Sequence, residues 1–329
     1  MGTTIVDRDL TLLQQANHQP VTLADYIYPA IQKQYVAILS HEADVINDGD
    51  VEAVHQMRVS LRRMRSVIQA FVPILDIPKV MGEKQIAKVA KILGKVRDLD
   101  VLHDTCKTHQ IDLPESERVY LNEVRSSIVK RRRKAIVKVQ SMFETEDYQY
   151  LKLSINNWLN HAQYMPIVQV PIADILPYLI LPVVGKLFLN SGWWSDLDLA
   201  SIDRPELALS EFLVVNGSAL HDLRKQVKAT RYLMELFPDR YSLHYNDYLH
   251  DLKQIHQLLG QIQDNIIFDG FIKRVLGKHA NSKLPTVYKQ IAHQNYLTWQ
   301  TWQPICHKYQ QSATKQAFHL LLIQEIIGG

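Results

Sequence analysis

The chain has 329 residues, of which 47% are hydrophobic and 22% charged. That composition supports one large packed domain or two of ordinary size and excludes disorder as the main state. Its 12 glycines and 13 prolines exclude a collagen-like or low-complexity chain, and its two cysteines, Cys106 and Cys306, exclude a disulfide scaffold or a Cys-built zinc site and point to a reducing, cytoplasmic setting. Lys and Arg total 37 against 34 Asp and Glu, a net charge of +3, so any preference for a polyanion has to come from where the charges sit.

Residues 1–20 read as a loose tail. The opening Met1-Gly-Thr-Thr-Ile-Val lacks a basic stretch before an apolar run, and Val6 stands where a myristoylation motif needs Ser or Thr, so no export or acyl signal is expected. Helical periodicity runs over about 21–47, 54–71, 83–97, 117–142 and 148–161, and again over about 206–214, 220–237, 245–264 and 286–325. Strand-like alternation is scarce, which makes the fold class all-α. The Pro-rich stretch 166–205, with Gly192-Trp-Trp-Ser and Asp203-Arg-Pro, reads as a connection. Its most apolar part, Ile167 to Leu189, contains Asp174, Lys186, Pro171, Pro177, Pro182 and Gly185, which argues against a membrane span.

The chain contains an internal repeat. Val54-His-Gln-Met-Arg-Val-Ser-Leu-Arg-Arg-Met-Arg65 aligns with Leu220-His-Asp-Leu-Arg-Lys-Gln-Val-Lys-Ala-Thr-Arg231, and Leu93-Gly-Lys-Val-Arg-Asp98 aligns with Leu259-Gly-Gln-Ile-Gln-Asp264, both at an offset of 166. One helical unit therefore occurs twice, over 21–165 and 206–329. In the first copy Val54, Met57, Leu61, Met64, Ile68 and Phe71 form an apolar face; in the second, Leu220, Leu223, Val227, Met234 and Phe237 do so, interrupted by Thr230. Asp50 and Asn216 are the expected N-caps, and Pro73 and Pro238 the expected stops. Gly94 and Gly260 read as helix ends, and Asp98 and Asp264 as caps of the next segment or partners of a neighbouring Arg.

The cations are arranged in rows. His55, Arg58, Arg62 and Arg65 step by three and four, as do His221, Arg224, Lys228 and Arg231, so each set projects from one face beside the apolar seam. Between Val54 and Arg97 there are ten Lys or Arg against Asp76 and Glu83, and between Arg118 and Lys138 eight against Glu123. Like charges at this spacing repel on a free helix, and a bound polyanion offsets that repulsion. Arginine suits phosphate oxygens because its planar fork donates two hydrogen bonds at once. Secondary candidates are Arg63, Arg97, Arg125, Arg132 and Lys225, together with Lys84, Lys88, Lys91 and Lys95, whose row also fits a solvated outer face. The counterparts of that row, His250, Gln254, Gln257 and Gln261, carry almost no charge.

With His-x-x-Arg-Val-x-x-Arg-Arg-x-Arg at 55–65, Leu-Gly-x-x-Arg-Asp-x-Asp at 93–100 and Leu-His-Asp-x-Arg-Lys at 220–225, the chain resembles the conserved histidine α-helical domain (CHAD) family over about residues 21–310. The resemblance implies two four-helix-bundle-like repeats related by a pseudo-two-fold axis, with the basic helices facing a central channel that binds inorganic polyphosphate. It places His55, Arg58, Arg62, Arg65, His221, Arg224, Lys228 and Arg231 at that ligand. The second copy departs from the motif at Lys228 and at Gln263-Asp-Asn265. The barrel that processes triphosphate in some relatives has no counterpart in the pattern of this chain.

Together these readings predict a non-enzymatic binder of linear polyphosphate, with or without the divalent cations such chains carry, without a cofactor or a protein-bound metal, and associated in the cytoplasm with polyphosphate granules. Nucleic acid is disfavoured because the rows contain no aromatic residue for base stacking. Two other classes stand beside this one. A metal-dependent phosphohydrolase would need further His and Asp ligands around His221-Asp222, and a helical interaction module would use the same rows to grip an acidic protein or a nucleic acid.

Overall fold

The computed structural model describes residues 21–72, 74–111, 113–324 and 326; the expected tail over 1–20 and the expected stop at Pro73 lie outside them. The chain is almost wholly helical, as its periodicity predicts. The first part contains α1 (Ala24–Ile46), α2 (Val51–Phe71), α3 (Glu83–His109), α4 (Glu115–Phe143) and α5 (Glu146–Asn160). Then come α6 (Ile172–Phe188), α7 (Pro205–Met234), α8 (Leu243–Leu276), the short α9 (Ala280–Lys283), α10 (Pro285–Gln310) and α11 (Ser312–Gln324). A two-residue antiparallel pair, β1 (Leu75–Asp76) against β2 (Gln163–Tyr164), ties the α2–α3 connection to the end of α5.

Local chemistry sets several boundaries. The Asp50 carboxylate accepts from Glu52 N at 2.8 Å and caps α2. Pro205 and Pro285 open α7 and α10, where a missing N–H costs nothing. Gly277, at φ 73°, ends α8 in a conformation that favours glycine.

Other boundaries differ from expectation. Asn216 caps nothing: α7 runs from Pro205 straight through it, and its Nδ2 donates to Phe212 O at 3.2 Å inside the helix. That bond to the preceding turn satisfies the side chain that would otherwise favour a break. Gly94 and Gly260 likewise end nothing and sit in the interiors of α3 and α8. Conversely, the single segment expected over 286–325 is divided at Gln311.

The Pro-rich stretch is largely helical. α6 keeps Pro177 and Pro182 in its interior, because Ile172, Leu176, Ile180, Val184 and Leu187 recur every turn and are fully buried against α7 and α11. The segment Ile172–Trp194 is long and apolar enough to cross a membrane. Its outward line, however, carries Asp174, Tyr178, Pro182 and Lys186, and its apolar side is part of the protein core.

The apolar faces of α2 and α7 are buried as the repeat predicts. Val54, Met57, Met64, Ile68 and Phe71 are wholly inaccessible, as are Leu223, Val227, Met234 and Phe237. Thr230 is also fully buried, and its hydroxyl donates to Gln226 O at 3.0 Å. Helices of both halves meet directly, α2 on α7, α3 on α8 and α4 on α8. A second core at the far end joins Leu102, Cys106 and Val124 to Phe268, Phe271 and Val287. Burial pushes both thiols, Cys106 and Cys306, up to about 12, so they behave as apolar packing groups.

The turn at Ser191–Trp194 is anchored at Trp193, whose ring stacks on Tyr309 at 5.3 Å, and at Gly192, which lies against α7. A Cβ at Gly192 would stand 2.6 Å from Leu223 Cβ and 2.7 Å from Ala219 O. Gly192→Ala is therefore expected to lower stability by about 1–3 kcal/mol through overpacking. Denaturant unfolding measures this, and an unchanged midpoint would show that the turn does not fix the connection.

Candidate functional site

On α2 the half-buried His55, Arg58, Arg62 and Arg65 point away from the apolar face beside α3 and α7. The Arg58 guanidinium lies across α3 at Gly94, where a Cβ would come within 3.2 Å of its Nε. Its Nη2 stands 3.6 Å from Asp98 Oδ1. On α7 the arrangement recurs: Arg224 lies across α8 at Gly260, 3.2 Å from a Cβ built there, and Asp264 is the first opposite charge acting on it. Each glycine thus clears room for a guanidinium laid flat over a helix. Asp98 pairs with its arginine, one of the two roles open to it in the sequence, and Asp264 acts on Arg224 through its charge.

The two rows meet. Arg62 Nη2 on α2 donates to the Tyr232 hydroxyl on α7 at 2.8 Å. The buried Tyr232 ring lies beneath the guanidiniums of Arg62, Arg63 and Arg231, at 6.0, 5.9 and 4.9 Å. Glu235 sits between Arg231, at 3.4 Å, and Arg63, at 3.8 Å. Arg65 approaches Glu83 at 3.7 Å.

Lys228 is enclosed at the centre. Burial lowers its pKa to about 7, helped by the positive charges of Arg62, Arg224, Arg58 and Arg65. His256 of α8 is driven down to about 3 by burial and then by Arg224, Arg231, Lys228 and Arg62. Burial, with nearby cations, also lowers His55 and His221, so these imidazoles are neutral at pH 7.

Several polar atoms in the rows are buried and make no hydrogen bond: His55 Nδ1, Arg62 Nε, His221 Nδ1, Arg224 Nε and Arg231 Nε. A guanidinium Nε–H can only donate, so Arg62 and Arg224 each bury a donor that has no acceptor, whereas the Arg231 Nε faces the Glu235 carboxylate at 3.4 Å. Chemically, the arrangement suits an extended anion with many oxygens.

The secondary candidates are placed differently. Arg97 joins the cluster, where its charge acts on His55, Arg58 and Asp98. Arg63 lies at the rim with Glu235. Lys225 is exposed and bonded to Asp222 at 2.5 Å; this engages the carboxylate of the His221-Asp222 pair. Arg132 is a structural clamp, with both terminal nitrogens on Asp48 at 2.8 Å and Nε on buried Asp100 at 2.6 Å. Arg125 is exposed two turns before Arg132 on the same side of α4, where its charge acts on His103 and Cys106 of α3. Lys84, Lys88, Lys91 and Lys95 are exposed along α3. Among the described residues no three His, Cys, Asp or Glu side chains converge as a metal site would require. His256 and Tyr232 belong to the cluster without having been expected there; their counterparts in the first copy are Ala90 and Ser66, so the repeat offers no signal for them.

The fold and this cluster define an all-helical module built to display buried and half-buried cations. The family model of the CHAD domain matches residues 29–273, and the chain belongs to the CHAD domain family, a family of binding domains known for polyphosphate. The crystal structure of the CHAD domain from the plant Ricinus communis is similar at a TM-score of 0.58 and 19% identity, over 95% of this chain and 96% of that one. PptA from Streptomyces chartreusis is similar at a TM-score of 0.63 and 13% identity, over 88% of this chain and 100% of that one. No curated protein matches the sequence.

The Lys228 environment makes a pH prediction. A lysine lowered from its ordinary value to about 7 in the folded state binds fewer protons there than in the unfolded state between about pH 7 and 10.5. Stability of the free protein therefore gains a contribution as pH rises through that window and loses it as pH falls back toward 7. NMR of ε-carbon-labelled lysine is expected to show one group titrating near 7 that is absent from Lys228→Met. Uniform titration of all lysines near their ordinary value would contradict the enclosed geometry.

Proposed function

We propose that the protein binds linear inorganic polyphosphate, without catalysis, along the line where the α2 and α7 rows face each other, the two halves contributing equivalent Arg cradles about a pseudo-two-fold axis. The observation that carries this is the meeting of two cation rows that the neighbouring carboxylates only partly neutralise: the Nε–H groups of Arg62 and Arg224 have no acceptor, and the charges of Arg62, Arg224, Arg58 and Arg65 add to the burial that lowers Lys228 to about 7. Like charges held this close repel, and an anion laid along the rows offsets that repulsion. His55, Arg58, Arg65, His221 and Lys228 complete the site. Release of counterions condensed on the polyanion supplies much of the free energy, by analogy with nucleic-acid phosphates. Such a binder would act in the cytoplasm by attaching to polyphosphate granules.

One observation weighs against nucleic acid as the ligand. Tyr232, the aromatic residue beside the rows, is 5% exposed and covered by three guanidiniums, so it presents no face on which a base could stack.

Changing Arg58, Arg62, Arg224 and Arg231 together to Gln is expected to abolish polyphosphate binding in calorimetry while circular dichroism shows intact helicity. Retained affinity would contradict the proposal. Gly94→Ala and Gly260→Ala test the cradles from the other side. In the helix interior Ala is about 1 kcal/mol better than Gly, yet its methyl crowds the guanidinium, so affinity is expected to fall severalfold without loss of stability. Binding in the double variant equal to wild type would show that the flat arginine pose is not the bound one. Polyphosphate favours protonated Lys228, so affinity is further expected to weaken as pH rises above about 7, more than it does in Lys228→Arg.

A further inference from the structure

We propose that the polyphosphate track leaves the central cluster on one side only, over α3, and that Lys84, Lys88, Lys91 and Lys95 form an extension site that discriminates long chains from short ones. The inference rests on the polyphosphate reading of the cluster and adds a direction to it.

The first support is angular. With Gly94 set at zero and about 100° per residue, Asp98 lies at about 40° on α3 and the four lysines between about 60° and 120°. The buried Ile86, Val89, Leu93 and Val96 lie between about 200° and 280°. The lysine ridge therefore starts where the Arg58 cradle at Gly94 and Asp98 ends, and continues outward from it. Facing away from the core and bordering the cluster are the same position on this helix.

The second support comes from the repeat. On α8 the equivalent line consists of His250, Gln254, Gln257 and Gln261, and the three glutamines share a cavity of about 580 Å3 with Arg224, Gly260 and Asp264. On this half, then, the surface next to the cradle opens directly from the central arginine. The register is the same on α3, with cations at the matching positions. A polyanion that passes over Gly260 meets neutral amides and the lone Lys253, whereas one that passes over Gly94 meets four further charges.

The third support is the lack of an internal reason for the ridge. All four lysines are exposed, and none has an ion-pair partner among the described residues. Spaced by three and four over about 16 Å of helix, they repel one another. The second half folds in the same way without them, so the shared architecture does not require the charge.

The test compares wild type with a variant carrying Lys84→Gln, Lys88→Gln, Lys91→Gln and Lys95→Gln, which gives α3 the neutral character of α8. Each is titrated with tripolyphosphate and with long-chain polyphosphate at several salt concentrations. Long-chain affinity is expected to fall roughly tenfold, four exposed contacts each being worth a fraction of a decade. The slope of log K against log salt is expected to become shallower by about 3, and tripolyphosphate affinity to stay within a factor of about two, since its contacts are at the central arginines. The reciprocal variant, with Gln254→Lys, Gln257→Lys and Gln261→Lys, is expected to bind the long chain more tightly. If wild type binds both ligands and the four-lysine variant keeps its long-chain affinity and salt slope, the extension is overturned and the central site stands. If wild type binds neither ligand, both are overturned.

Discussion

The structure depends on holding two rows of like charge against each other. α2 packs on α7, and that contact brings Arg58, Arg62 and Arg65 close enough to Arg224 and Lys228 to add to the burial that lowers the lysine to about 7. Left alone, such a cluster would push the helices apart. It is held by its surroundings: apolar faces on both helices that are wholly buried, an Arg62–Tyr232 hydrogen bond across the junction, and two aspartates that balance the innermost guanidiniums. The neutrality of His55, His221 and His256 is part of the same balance, since burial beside cations removes the charge that could be shed.

The cluster is only partly neutralised, and this accounts for its chemistry. The central cations lean on Asp98, Asp264, Glu235 and Glu83, yet the Nε–H groups of Arg62 and Arg224 keep no acceptor. Two half-buried cations elsewhere in the chain are paired closely. Arg132 bonds Asp48 and Asp100 with all three of its nitrogens, and Lys152 bonds Glu42 through both carboxylate oxygens. One kind of arginine fastens α4 to its neighbours, and the other is held in place but left available. Burial alone does not separate them; the count of satisfied donors does.

Much of this was legible in the sequence, and the misses have physical causes. The offset of 166 identified the paired helices and their cation rows, because a repeat ties each residue to an equivalent environment. Gly94 and Gly260 were read as helix ends, since a glycine in isolation signals weakness in a helix; their use as clearance for a guanidinium depends on a second helix that no local pattern reveals. Asn216 failed as a cap because a bond to the preceding turn satisfies its side chain within a continuous helix. Pro177 and Pro182 lie inside a helix where the Pro-rich stretch read as a connection, because the apolar line of α6 outweighed them. Arg132 carries the same sequence signature as the cluster arginines and is diverted by Asp48, a partner 84 positions away.

The most direct test of the central claim is calorimetric titration of the protein with long-chain polyphosphate over a range of salt concentrations, with DNA and heparin as competitors. Tight binding that weakens steeply with salt and that neither competitor displaces at equal phosphate or sulfate concentration is the predicted result. Equal displacement by all three polyanions, or no binding of polyphosphate at low salt, would contradict it.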